Sequence, residues 1–190
     1  MKIIISESQL KTIGDQNLPV SDLKNISWDG LVNTGRNSLH NVIENTINTS
    51  SKMHNQINDL VINITKDMKN SFEQDVLNGN LSKTTMNQFN KNIVSSLNEF
   101  NLELEHIPVT QRKLAKTVGR GKIKEAISKC FTFTGQRFFK KGFAENLKKF
   151  TNSNSPIIQN YIKVSNQMGD FVIGNQQLQN YVFSFIMGKL

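Results

Sequence analysis

Between Arg112 and Lys149 the chain carries twelve of its 23 lysines and arginines, against only two acids, Glu125 and Glu145. That segment bears +10 in a protein whose net charge is +8, so the rest sums to about −2 and the basic balance is local. Ammonium and guanidinium groups at such density do one kind of chemistry. They take up phosphate or carboxylate oxygens, and each phosphate neutralised releases condensed counterions. The candidate nucleic-acid-binding residues are Arg112, Lys113, Lys116, Arg120, Lys122, Lys124, Arg137, Lys140, Lys141 and Lys148, with Gly119-Arg120-Gly121-Lys122 as an exposed backbone turn for phosphate. The competing reading is a set of lysine-rich solvated faces in an AT-rich coding background. A charge this concentrated favours contact with a polyanion or an acidic protein. Lysine outnumbers arginine, which points away from base reading, although helices at 110–118 and 122–131 could be bent into a helix-turn-helix.

Six phenylalanines, Phe131, Phe133, Phe138, Phe139, Phe143 and Phe150, interleave with these charges. Stacking on bases is one use for them; at helical spacing, a core is the commoner one. Phe138 falls on the face opposite Phe139 and Phe143 of an ideal helix, which makes it the aromatic expected to be open to a partner.

Other chemistry has thin support. Glu103-x-x-His106 has the spacing of a di-iron bundle ligand pair, but only His40 and Glu44 offer a partial complement. Cys130 follows Lys129, which would lower a thiol pKa, yet it continues the Ile123/Ile127 stripe and reads as a buried, inert thiol. A single cysteine excludes an intramolecular disulfide framework and a multi-cysteine zinc site. The phosphate-binding, serine-nucleophile and zinc-protease motifs are all missing from the sequence. The expectation is a protein without catalysis, metal or cofactor.

The elements that must position these residues are helices. Leu39, Ile43, Thr46, Ser50, Met53, Ile57, Leu60 and Ile64 step by threes and fours, and Met68, Phe72 and Val76 continue in fours. No proline or glycine intervenes between Arg36 and Leu77, so one helix of about forty residues is expected, some 60 Å long. Its weakest stretch is Asn48-Thr49-Ser50-Ser51. Asn78-Gly79-Asn80 ends it, and Ser82 starts a second helix with Met86, Phe89, Ile93, Val94, Leu97, Phe100 and Leu104 on one face. The pair makes a long antiparallel αα-hairpin, with Met53, Ile57, Leu60 and Ile64 as its candidate protein interface.

After Pro108 a compact basic helical part follows. A short helix from Thr110 has Leu114 and Val118 inside, and a second runs from Lys122 to about Cys130. Thr132-Phe133-Thr134-Gly135 reads as a turn or β-like segment before a third helix at roughly 136–150. Pro156 opens a helix expected to stop at Gly169, and Asn175 caps the last one, striped by Leu178, Tyr181, Val182, Phe185 and Ile186. The fold class is thus mainly α: the long hairpin, the basic helical part, and a short N-terminal strand over 2–5. Three segments are delimited: 1–30 as a strand and helix, 31–106 as the hairpin, and 107–190 as the basic domain.

Asparagine, lysine, isoleucine, phenylalanine and serine dominate while alanine appears three times, so the helices depend on tertiary or oligomeric packing for stability. The apolar run at residues 3–5 is too short for a secretory signal, so none is expected, and no window reaches the roughly 18 consecutive apolar residues of a membrane span. A soluble protein of virion or host cytoplasm is expected. The opening Lys2-Ile3-Ile4-Ile5-Ser6-Glu7-Ser8-Gln9-Leu10-Lys11 resembles the first residues of proteins encoded by tailed bacteriophages of AT-rich hosts. The resemblance covers about ten of 190 residues and carries no site residues across. It implies a virion or assembly component. The sequence-level expectation is therefore a structural or adaptor subunit of a larger assembly, bound to other protein subunits and touching DNA, RNA or an acidic neighbour. The alternative is a free, sequence-nonspecific nucleic-acid-binding protein or regulator.

Overall fold

The computed structural model describes residues 28, 29, 32, 33, 35–37, 59, 61–99, 108–145, 147 and 155–190. The chain is mainly α, and there is no strand among the described residues. The strand expected at 2–5, the interface positions Met53, Ile57 and Leu60, the Glu103/His106 and His40/Glu44 pairs, and Lys148 lie outside them.

The forty-residue helix is not continuous. Residues 61–65 are helical, Lys66 and Asp67 form a turn, and α1 then runs over Lys69–Asn78. Asp67 sits at φ 58°, in the left-handed region that ends a helix. The carbonyls freed by the break are not left dry. Asn92, buried on the next helix, donates its side-chain amide to the carbonyls of Ile64 and Lys66, and Thr65 donates its hydroxyl to Val61 at 2.7 Å. The apolar pattern runs straight across the break because Ile64, Met68, Phe72 and Val76 are all buried on one side. Ile64 is therefore a core residue and no free interface.

The first helix ends and the second begins where the sequence predicts. Gly79 ends α1 at φ 68°, a conformation that costs a residue with a Cβ dearly, and its N–H donates to Val76. Helix α2, Lys83–Glu99, follows. Ser82 caps it by accepting from the Thr85 N–H at 3.3 Å. Asp75, 2% exposed, reaches back across the turn and accepts from the Ser82 N–H at 2.9 Å. Asp75→Ala leaves that N–H without its acceptor, and the expected loss is about 1–3 kcal/mol. Asp75→Asn retains a carbonyl oxygen there, so denaturant titration should rank wild type above Asn and Asn above Ala. Equal midpoints for Asn and Ala would exclude the hydrogen bond as the cause.

Beyond Pro108 come α3, Val109–Thr117, and α4, Arg120–Phe133. The turn expected at Thr132–Gly135 does not form. Helix α4 passes directly into a π-helix, π1, over Thr134–Glu145. Two further helices complete the chain: α5, Pro156–Gly174, with Pro156 in its first turn, and α6, Gln176–Lys189. Helix α5 does not stop at Gly169, which sits in mid-helix against π1. Asn175 caps α6 as expected, accepting from the Leu178 N–H at 3.1 Å, and its own amide donates to Asn90 of α2 at 2.7 Å.

Helix π1 lies at the centre of the fold and packs most extensively along α5. Its hydrogen bonds close i→i+5, giving a wider turn than the α-helix. The wider turn carries Phe138, Phe139, Gly142, Phe143 and Ala144 all inward. Phe138 is 2% exposed, which corrects the expectation that it faces a partner. Its ring meets Phe139 at 4.9 Å and Phe143 at 5.1 Å. Phe143 in turn stacks edge-on against Trp28 and Phe72, and Phe139 meets Phe89. Rings from residues 28 to 171 thus share one cluster. The described end of the hairpin, carrying Phe72 and Phe89, is embedded in this core.

Close approach sets the glycines of π1. A Cβ on Gly135 would stand 2.6 Å from the Gly169 carbonyl oxygen of α5, and one on Gly142 would strike the backbone of Gly35. Helix α6 packs on its own chain, against α4 and α2, burying Leu178, Gln179, Val182 and Met187. Tyr181, expected in its buried stripe, is 42% exposed. Among the described residues no helix is long and apolar enough to cross a membrane.

Candidate nucleic-acid interface

Helix α3 buries none of its residues. Leu114 and Val118, expected inside, are 62% and 77% exposed. The reason is that only the Arg112 and Ala115 side of this short helix turns inward, while Leu114 and Val118 lie on another face at 100° per residue. Lys113 and Lys116 are exposed with them. Neither α3 nor α4 has a side-chain cap or an acid in its first turn. Where a helix N-terminus ordinarily attracts negative charge, α4 opens with Arg120, Lys122 and Lys124, all exposed. The Gly119-Arg120-Gly121-Lys122 turn of the sequence is that N-terminus, Gly119 being the cap residue. Positive side chains and positive helix end coincide, an arrangement that an anion relieves.

Glu125 is the one acid between Pro108 and Ala144. It pairs with Lys129 at 2.6 Å, one turn along α4, and that ammonium holds its carboxyl below the usual range. The pair is exposed on both sides and adds little stability. Arg120 rests its guanidinium 5.7 Å from the Phe183 ring centroid, which ties the start of α4 to α6.

The basic residues of π1 divide. Lys140 turns toward α5, its stem close to Gly169 and its ammonium 2.5 Å from Asp170. That ion pair occupies the Lys140 ammonium. Arg137 and Lys141 line an open cleft of about 530 Å³ along one face of the continuous α4–π1 helix, together with Glu125, Lys129, Thr132, Phe133 and Gln136. At 100° per residue the sequence gathers Arg137, Lys140, Lys141 and Lys148 on one helix face, and Lys148 lies outside the described residues. Sequence reasoning placed Lys129 in no site. The spacing of Lys129 from Arg137 spans the expected turn at 132–135, and only an unbroken α4–π1 helix brings the two to one cleft.

Cys130 is exposed, contrary to the buried thiol expected, but nearby packing still desolvates its sulfur and pushes the thiol pKa up. Burial, with the Glu73 carboxylate nearby, pushes the Tyr161 hydroxyl up to about 12. Both shifts favour the neutral form, the reverse of what activates a nucleophile. Among the described residues no three histidine, cysteine, aspartate or glutamate side chains gather as a metal site. No family model, curated protein or solved structure matches the chain.

Proposed function

We propose that this protein is a non-enzymatic structural or adaptor subunit of a larger assembly whose α3–α4 face lies against nucleic acid, held through phosphates without reading sequence. The observation that carries the reading is the run of exposed cations Lys113, Lys116, Arg120, Lys122 and Lys124 on two consecutive helices, opposed by one acid that is already paired. Lysine ammonium groups act as point charges toward backbone phosphates, whereas base reading favours the bidentate arginine fork. The short resemblance of residues 2–11 to tailed-phage proteins supports the assembly setting, where subunits meet the packaged genome. The uncapped, uncompensated start of α4 supports an anionic partner.

The test is titration of the full chain with fluorescent duplexes of unrelated sequence at low salt. Affinities should agree within about three-fold, because phosphate contacts carry no sequence information. A strong preference for one duplex would replace this reading with a regulator. No binding at 50 mM salt (about a 14 Å screening length by the square-root scaling) would replace nucleic acid with an acidic protein as the partner.

A further inference from the structure

The cleft along the α4–π1 helix has features that a general phosphate-binding face does not need. It is open to solvent, and its volume of about 530 Å³ lies within the range of small-ligand sites. Three cations, Lys129, Arg137 and Lys141, line it along one face of the continuous α4–π1 helix, with Glu125 as the one acid among them. Phe133 is also in its wall and is only partly buried, while most of the neighbouring phenylalanines are in the core. Thr132 and Gln136 add a hydroxyl and an amide between the ring and the charges. An aromatic face beside cations is the pairing by which single-stranded nucleic acid is held: the base stacks on the ring while the backbone is drawn to the charges. A duplex keeps its bases stacked inside and offers a surface only phosphate and groove edges, so it has nothing to place on Phe133.

We infer that this cleft takes one unstacked nucleotide of a single strand, its base against Phe133 and its phosphate between Arg137 and Lys141. The inference rests on the proposed nucleic-acid contact and adds to it a preference for single strand at this place. Lys129 is paired with Glu125 in the same cleft, and the phosphate offers it a second anion. The unbroken passage of α4 into π1 matters because it sets Phe133, the last residue of α4, one turn before Arg137. Chemistry and backbone geometry meet at the same point, and π-helical turns recur at functional sites.

The experiment compares a fluorescent thymidine 20-mer with a 20-base-pair duplex, by anisotropy, on the full chain at 50 mM salt. Phe133→Leu keeps an apolar side chain but removes the ring, and should weaken the single strand about ten-fold while leaving the duplex within two-fold. Arg137→Gln with Lys141→Gln tests the same cleft from its charges, and should weaken the single strand several-fold more than the duplex. Thermal melts verify that each variant is folded. Equal losses for single strand and duplex in the Arg137/Lys141 variant, or an unchanged single-strand affinity in both variants, would overturn the cleft and leave the α3–α4 contact standing. Failure of the wild type to bind either nucleic acid would overturn both.

Discussion

Phe143→Ala should lower stability by about 3–5 kcal/mol, the cost of removing a buried phenylalanine and leaving a cavity. Phe143 has no exposed surface, and its ring contacts Trp28, Phe72, Phe138 and Phe139. Those partners come from three separated parts of the chain, so collapse around the cavity needs several elements to shift together. For a protein of this size the change corresponds to a fall of roughly 6–20 °C in melting temperature. Against a typical total of about 5–15 kcal/mol, the variant stands near the threshold of folding. Leu114→Ala is the control, since Leu114 is 62% exposed and its truncation should cost within about 0.5 kcal/mol. Comparable losses for the two variants would mean that Phe143 is not at the centre of the core.

The contrast between Phe143 and Leu114 also marks how far the sequence could be read. Helical class followed from apolar spacing, and helix ends followed wherever a local residue makes them. Gly79, Ser82, Pro156 and Asn175 do so through turn geometry, capping or fixed backbone, all visible within a few residues. The break at Lys66–Asp67 was hidden because its stabilising group, the Asn92 amide, arrives from another helix. Helix π1 was hidden for a different reason. A stripe stepping in fours fits an α-helix, and the choice of an i→i+5 turn depends on what surrounds it: Gly169 on one side and Gly35 on the other. Phe138 was misplaced as a direct result, since its direction was computed for the narrower turn.

The candidate site was legible as charge and illegible as shape. Counting residues located the basic segment and named Lys113, Lys116, Arg120, Lys122 and Lys124, which are exposed. Counting could not show that Lys140 is matched by Asp170, thirty residues away, or that Lys129 joins Arg137 and Lys141 around Phe133. Nor could it separate an apolar residue that faces the core from one that does not. Leu114 and Val118 recur at helical spacing as core residues do, but α3 is short and polar and buries none of its residues.

Neutralising Lys113, Lys116, Lys122 and Lys124 together with glutamine should remove most of the salt-dependent affinity for duplex DNA. With about five phosphate contacts, the wild-type slope of log affinity against log salt is expected near −4.5, at about −0.9 per contact. Raising salt from 50 to 200 mM then weakens the wild type by roughly 500-fold. Four contacts fewer leave a slope of about −1 and only a several-fold salt effect over the same range. The four side chains are exposed, so the variant should keep its fold and its melting temperature. Lys140→Gln is the informative comparison, because its ammonium is paired with Asp170 and should leave the slope unchanged. Glutamine at 140 lowering the slope as much as glutamine at 113 would show that binding follows net charge and not the α3–α4 face. A quadruple variant that keeps a slope near −4.5 would place the contact elsewhere on the molecule.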